Sequence, residues 1–139
     1  MSNKPIIGYT FHAGDLFHVG HLHQLLECRK HCDTLIVGIL TDQAIASYKR
    51  LPIIPYPWRA ALYEALECVD VVMPQNSRDP TDNLKQVKPD ILFHGDDWDD
   101  FPGKEWIEAH GGKAIQTPYF VGLSTTAIIQ EIIHREGSK

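Results

Sequence analysis

Short apolar runs alternate with amphipathic stretches along the whole chain. Residues 6–11 (IIGYTF) and Thr34–Leu40 (TLIVGIL) read as buried strands. The second is nearly continuous and β-branched, as a parallel strand covered on both faces requires. Between them Val19, Leu22, Leu25 and Leu26 recur at helical spacing and predict a helix over 18–32. Thr41 or Asp42 can cap a short helix through Tyr48, which prolines 52, 55 and 57 break. The next helix, over 57–67, carries Trp58, Leu62 and Leu66 on one face. Further strands are predicted over 69–73, 91–94 and 114–117, separated by a polar loop over 76–82, a short helix ending near Lys88-Pro89, and a helix over 104–109 ended by Gly111-Gly112. A last helix opens at Ser124 and runs to about Arg135. Strand and helix alternate throughout, which predicts an α/β fold: an open parallel sheet of five strands with helices on both faces. Such a sheet binds ligands beyond the carboxyl ends of its strands, where the strand order reverses.

The length of 139 residues suits a single domain over 1–139. A net charge of −5 offers no global positive field, which argues against nucleic acid and anionic membrane as partners. No apolar run approaches the 18 residues of a membrane span, and the first residues show no charged-then-apolar leader. Three cysteines, Cys28, Cys32 and Cys68, form no disulfide framework and read as reduced thiols of a cytoplasmic protein.

The residues just after the strands carry the chemistry. After the first strand come His18-Val19-Gly20-His21, two histidines on one face at the start of a helix, with a glycine between them that lets a ligand approach. Together with the free amides and positive end of that helix they form an anion site suited to a polyphosphate. The same pair could hold zinc, with Asp15 and His23 as the nearby extra ligands. Ser124-Thr125-Thr126 taken alone is a plain helix cap. Lys49, Arg50 and Arg59 crowd around the proline-rich loop that follows the second strand of an otherwise acidic chain.

The His18-x-Gly-His21 run, directly after a strand and a turn, resembles the signature of the nucleotidylyltransferase superfamily, in which a phosphorylated acceptor attacks a nucleoside triphosphate. Leu123-Ser124-Thr125-Thr126 is similar to that family's second signature. The resemblance implies a Rossmann-like fold and a triphosphate held between the two segments, with His18, His21, Lys49 and Arg59 as the catalytic set. It also implies nucleotide contacts from Thr10, Phe11, Gly20, Gly95, Asp97, Ser124, Thr125 and Thr126, and acceptor contacts from Asp15, Trp98 and Tyr119. His94-Gly95-Asp96-Asp97-Trp98 looks like a segment of glycerol-3-phosphate cytidylyltransferases. Residues 40–52 look most like the cytidylyltransferase domains of phosphonate biosynthesis. Where the glycerol phosphate branch usually has Gly-Thr-Phe-Asp, this chain has His12-Ala13-Gly14-Asp15; where that branch has an arginine before its second signature, this chain has Tyr119-Phe120-Val121-Gly122.

The expected reaction is therefore attack by a small phosphonate or phosphate on the α-phosphorus of CTP, with pyrophosphate leaving. The foremost acceptors are 2-aminoethylphosphonate and 2-hydroxyethylphosphonate, followed by glycerol 3-phosphate. Mg²⁺ is expected as the divalent ion, with Asp15 a candidate ligand, and the resemblance implies a homodimer. An adenylyltransferase acting on a sugar phosphate shares both signatures and is the alternative within enzymes. A nucleotide-binding domain without turnover, and a zinc module built on His18, His21 and His23, are the alternatives outside them.

Overall fold

The computed structural model describes residues 4–95, 100–118 and 120–137. Along the chain run β1 (Ile7–His12), α1 (Val19–Arg29), β2 (Thr34–Leu40), α2 (Asp42–Ala46), α3 (Tyr56–Glu64), β3 (Val71–Gln75), α4 (Thr81–Val87), β4 (Ile91–Gly95), α5 (Lys104–Ala109), β5 (Lys113–Thr117) and α6 (Thr125–Glu136). The five strands pair in parallel in the order β3-β2-β1-β4-β5. This is the Rossmann-like α/β architecture that the alternation of elements predicts. The order reverses between β1 and β4, so their carboxyl ends flank the crevice where such sheets take ligands.

Strand periodicity sorts the core into two layers. Leu35, Val37 and Ile39 of β2 and Ile91 and Phe93 of β4 face Leu25 and Cys28 of α1 and Tyr63 of α3. The alternate positions Tyr9, Ile36 and Leu92 face Leu84 of α4 and Ile107 of α5. Register is pinned at the amino edge by a repeated device, an aspartate immediately before a strand that accepts an amide of the neighbouring strand or its approach. Asp33 accepts from the Ile6 amide at 2.7 Å, Asp70 from Leu35 at 2.8 Å and Asp90 from Ile7 at 2.8 Å. Asp70 also pairs with Arg29 of α1.

Two boundaries and one helix face differ from the sequence pattern for identifiable reasons. Helix α1 ends at Arg29 rather than Cys32, because residues 30–31 tighten into a last turn bonded to Glu27 and Cys28. Strand β3 starts at Val71 rather than Val69 and continues through Pro74. It is an edge strand, where a missing N–H costs little. On α3 the buried face is Arg59, Ala60 and Tyr63, whereas Trp58 and Leu62 are 67% and 51% exposed. Among the described residues no helix is long and apolar enough to cross a membrane.

Candidate active site

His18 stands in extended conformation as the N-cap of α1, and the two histidines cap the helix reciprocally. The Gly20 amide donates to His18 Nδ1 at 2.9 Å, and the His18 amide donates to His21 Nδ1 at 3.1 Å. In a neutral imidazole whose Nδ1 accepts, the proton sits on Nε2. Each ring thus keeps an Nε2–H donor, and both rings line the cavity beyond the sheet. The ring centroids are 4.0 Å apart, and His21 stacks on Phe17 at 5.5 Å. Gly20 has no room for a side chain: a Cβ there would stand 2.6 Å from His18 Cε1 and 3.2 Å from the Leu123 oxygen.

Both rings accept an amide at Nδ1, the pattern of a neutral imidazole. Burial above all, reinforced by the neighbouring His12, His18 and Lys49, lowers His21 from 6.5 to about 3. Burial also lowers His18. The cavity thus presents two preorganised Nε2–H donors beside Lys49. Lys49 is itself pushed down from its ordinary value by burial and by the nearby Arg50.

From the other side comes the first turn of α6, whose leading amides have no carbonyl within the helix to bond. Ser124 caps the helix by accepting from the Ala127 amide at 3.1 Å. The Thr125 hydroxyl donates to the Asp15 main-chain oxygen at 2.9 Å. Of the three hydroxyls, that of Thr126 lies at the exposed rim of the cleft.

Two adjoining chambers make up the cleft. One, of about 460 Å³, is lined by Ala13, Gly14, Asp15, Ile45, Arg50, Pro52 and Thr126. The other, of about 420 Å³, is lined by His18, Gly20, Gln24, Gly95, Pro118, Phe120, Leu123 and Ser124. His12, His21, Lys49 and Thr125 border both and so form the waist between them. The amino-terminal histidines, the basic loop and the last helix therefore share one cleft at the switch point.

Several residues singled out by sequence serve the cleft differently from the expectation. Arg59 is fully buried and does not open into it. Its Nε donates to the Ile54 oxygen at 2.8 Å, Nη1 to the Leu40 oxygen at 2.7 Å and to the Ala13 oxygen, and Nη2 to Asp42 at 2.6 Å. Spent on three carbonyls and a carboxylate, the guanidinium is a strut beneath the cleft. Thr10 is buried and its hydroxyl donates to the Phe93 oxygen at 3.3 Å. Phe11 packs against His94, which stacks on Phe101.

The Asp15 carboxylate accepts from the Ile53 and Ile54 amides, both at 2.9 Å, and from Arg50 at 3.4 Å. Burial pulls its pKa upward, but these donors outweigh burial and hold it below the usual carboxylate value. With both oxygens taken by amides, Asp15 anchors the loop and does not fit the role of an Mg²⁺ ligand. Among the described residues no group of three or more His, Cys, Asp or Glu is placed to hold a metal ion. His23 lines neither chamber and packs on Phe120, ring centroids 5.4 Å apart. The expected contacts from Asp97, Trp98 and Tyr119 lie outside the described residues.

Two polar cleft residues escape the sequence reading, His12 and Gln24. His12 is the last residue of β1, and Gln24 follows His21 by three on the same face of α1. Their position at a strand end and on a motif face is the signal that could have found them.

Residues 14–131 match the cytidylyltransferase-like family model. The chain is 35% identical over 127 residues to the bifunctional protein HldE of Hyphomonas neptunium, covering 88% of this chain and 26% of that protein. It is 33% identical over 135 residues to HldE of Geobacter sulfurreducens, covering 94% and 28%. The chain thus spans about a quarter of the length of these relatives. A lipopolysaccharide core biosynthesis protein from Thermoplasma volcanium superposes with a TM-score of 0.72 at 26% identity, covering 84% of this chain and 98% of that one. A pantoate-beta-alanine ligase from Francisella tularensis, with a TM-score of 0.52 at 14% identity over 100% of this chain and 74% of that one, shares the fold. With that family model matched over residues 14–131, most of its length, the chain belongs to the cytidylyltransferase-like family.

Proposed function

We propose that the chain transfers the adenylyl group of ATP to the phosphate of a sugar phosphate, giving a nucleotide sugar and pyrophosphate. The observation that carries the transfer itself is the convergence of His18, His21, Lys49 and the first turn of α6 on one waist between two chambers. The adenylyl and sugar assignments draw support from the likeness to HldE proteins and to a lipopolysaccharide core biosynthesis protein. A polysaccharide core is assembled from activated sugars. These likenesses favour the adenylyl alternative over the cytidylyl reading that the sequence motifs put first.

In this reading the nucleotide lies in the chamber of His18, Gly20 and Gly95, with its phosphates reaching the waist. The acceptor's phosphate enters from the chamber of Asp15, Lys49 and Arg50. An acceptor oxygen forms a bond to the α-phosphorus as the bond from that phosphorus to the bridging oxygen breaks, and pyrophosphate carries away the electron pair. A phosphate monoester has a second pKa of about 6, so the nucleophile is already dianionic at neutral pH and no general base is required. The chain's task is alignment and stabilisation of the charge that develops on the leaving group. The Nε2–H groups of His18 and His21, the Lys49 ammonium and the first-turn amides of α6 supply it. Mg²⁺ enters on the triphosphate, as part of the substrate.

The second reading, cytidylyl transfer to a small phosphonate, is favoured by one observation. The segment 40–52, which carries the phosphonate resemblance, supplies Ile45, Lys49, Arg50 and Pro52 to the acceptor chamber. Pyrophosphate release decides between them, measured with ATP or CTP against sugar 1-phosphates, 2-aminoethylphosphonate, 2-hydroxyethylphosphonate, glycerol 3-phosphate and phosphocholine. The expected result is turnover with ATP and a sugar phosphate. Turnover confined to CTP and a phosphonate establishes the second reading, and nucleotide binding without pyrophosphate from any pair establishes a non-catalytic domain.

A further inference from the structure

His12 occupies the centre of a hydrogen-bond chain whose direction is fixed at every link. Its Nε2 lies 2.6 Å from Gln24 Oε1, an oxygen without a proton, so the imidazole donates there. A neutral ring then has only an acceptor at Nδ1, which lies 2.7 Å from the Tyr63 hydroxyl, so Tyr63 donates. Gln24 Nε2 passes the sense on to the Thr10 hydroxyl at 3.2 Å, and Thr10 donates to the Phe93 carbonyl. The chain begins on α3, crosses β1, reaches α1 and ends on β4. Gly14, at φ +69°, lets the turn after β1 pass close beneath Tyr63; a Cβ there would stand 2.7 Å from the ring. Burial keeps both partners in the forms the chain requires, raising Tyr63 well above its ordinary value and lowering His12 to about 4.

This chain has a mechanical consequence for the cleft. Gln24 sits three residues beyond His21 on one face of α1, and the His12 ring centroid is 5.7 Å from that of His21. His12 also borders both chambers. We infer that His12 is a positioning residue for the transfer step: its neutral imidazole, held by Tyr63, sets α1 through Gln24 and so fixes His21 at the waist. The inference rests on the nucleotidyl-transfer reading. It adds a residue outside the signature histidines, acting through them rather than on the substrate.

Four readouts on the full-length protein test it: pyrophosphate release with the pair the unmodified protein turns over, equilibrium binding of the nucleotide, thermal unfolding to confirm the fold, and nitrogen NMR of the histidine rings. His12→Ala is expected to lower kcat about 10- to 100-fold while changing nucleotide affinity less than about threefold, the signature of lost alignment. His12→Gln, which keeps one acceptor and one donor, is expected to recover most of that loss. Tyr63→Phe removes only a hydroxyl and serves if His12→Ala does not fold; a loss of about 3- to 10-fold in kcat is expected. Nitrogen NMR of the histidine rings, recorded without substrate, reads the chain independently of turnover. The Nε2–H tautomer is expected at His12 in the unmodified protein, with a mixture of tautomers in Tyr63→Phe. A folded His12→Ala with kcat within about twofold of the unmodified protein overturns the inference. So does His12→Gln no better than His12→Ala, or an Nδ1–H tautomer at His12. Absence of turnover in the unmodified protein with every pair instead sinks the proposed function, and the tautomer still reports on the chain.

Discussion

The Thr125 hydroxyl donates to the main-chain oxygen of Asp15 across 2.9 Å, joining residues 110 apart in sequence. Asp15 simultaneously holds the Ile53 and Ile54 amides through its carboxylate. One residue therefore ties the turn after β1, the basic loop and the first turn of α6, three segments that line the chamber of about 460 Å³. Thr125→Val keeps the shape and removes the donor. It is expected to cost about 1 kcal/mol of stability and to weaken nucleotide binding by up to about tenfold, read by urea unfolding and titration. Thr126→Val, at the exposed rim, should leave stability within about 0.5 kcal/mol. Equal stability of the two variants would show that the tether carries no load.

His18→Ala and His21→Ala each remove an Nε2–H donor aimed into the cleft. Loss of one preorganised donor from such a site costs about 100- to 1,000-fold in kcat. The helix cap is disturbed as well, since each Nδ1 accepts an amide. Circular dichroism must therefore confirm the fold before the rate is compared. Asparagine at position 18 keeps a capping oxygen and should restore stability without restoring the rate. Activity near the starting level in both folded alanine variants would remove these donors from the mechanism.

The layers of this molecule are legible in sequence because period-two and helical apolar patterns report burial directly. Leu35, Val37 and Ile39 alternate with Ile36 between the two core layers as their spacing requires. On α3 the pattern misleads. Trp58 and Leu62 look like a core face, yet Arg59 takes the buried position because its donors meet three carbonyls and Asp42. No periodicity rule anticipates a buried charged side chain satisfied by the main-chain oxygens of Ala13, Leu40 and Ile54 together with the Asp42 carboxylate. The same limit separates the candidate site into what motifs reveal and what they do not. His18, Gly20 and His21 are recognisable because their chemistry is local to one helix end. Asp15 as a loop anchor and His12 as the centre of a relay depend on Ile53, Ile54, Tyr63 and Gln24, partners that only the fold brings near.

Arg59 offers a direct test of strut against phosphate ligand. Arg59→Ala strands the Ala13, Leu40 and Ile54 oxygens and leaves Asp42 without its cation, with only the Tyr56 amide still donating to it. The expected cost is about 3 kcal/mol or more, measured by denaturant unfolding. Arg59→Lys replaces a five-donor fork by one ammonium and should recover only part of that stability. A stable Arg59→Lys protein with collapsed nucleotide affinity would return Arg59 to the phosphate site.

Acid sensitivity follows from the two most strongly suppressed imidazoles. His12 is lowered to about 4 and His21 to about 3, in each case chiefly by burial, from an ordinary 6.5. Between pH 6.5 and 4 the unfolded chain binds protons at both rings while the folded one refuses them. Stability then rises with pH in proportion to that difference in bound protons. The contribution is fully present above pH 6.5 and is lost as pH falls toward 3. Urea unfolding at pH 7, 6, 5 and 4.5 should give a slope approaching about two protons per molecule near pH 5. His21→Ala should lower that slope by about one proton. A bound triphosphate acts in the opposite sense at His21, since a nearby anion favours the protonated ring, so saturating nucleotide should flatten the same profile. Stability unchanged between pH 7 and 5 in the free protein would mean that these rings are charged in the fold, and the neutral-donor account of the cleft would fail with it.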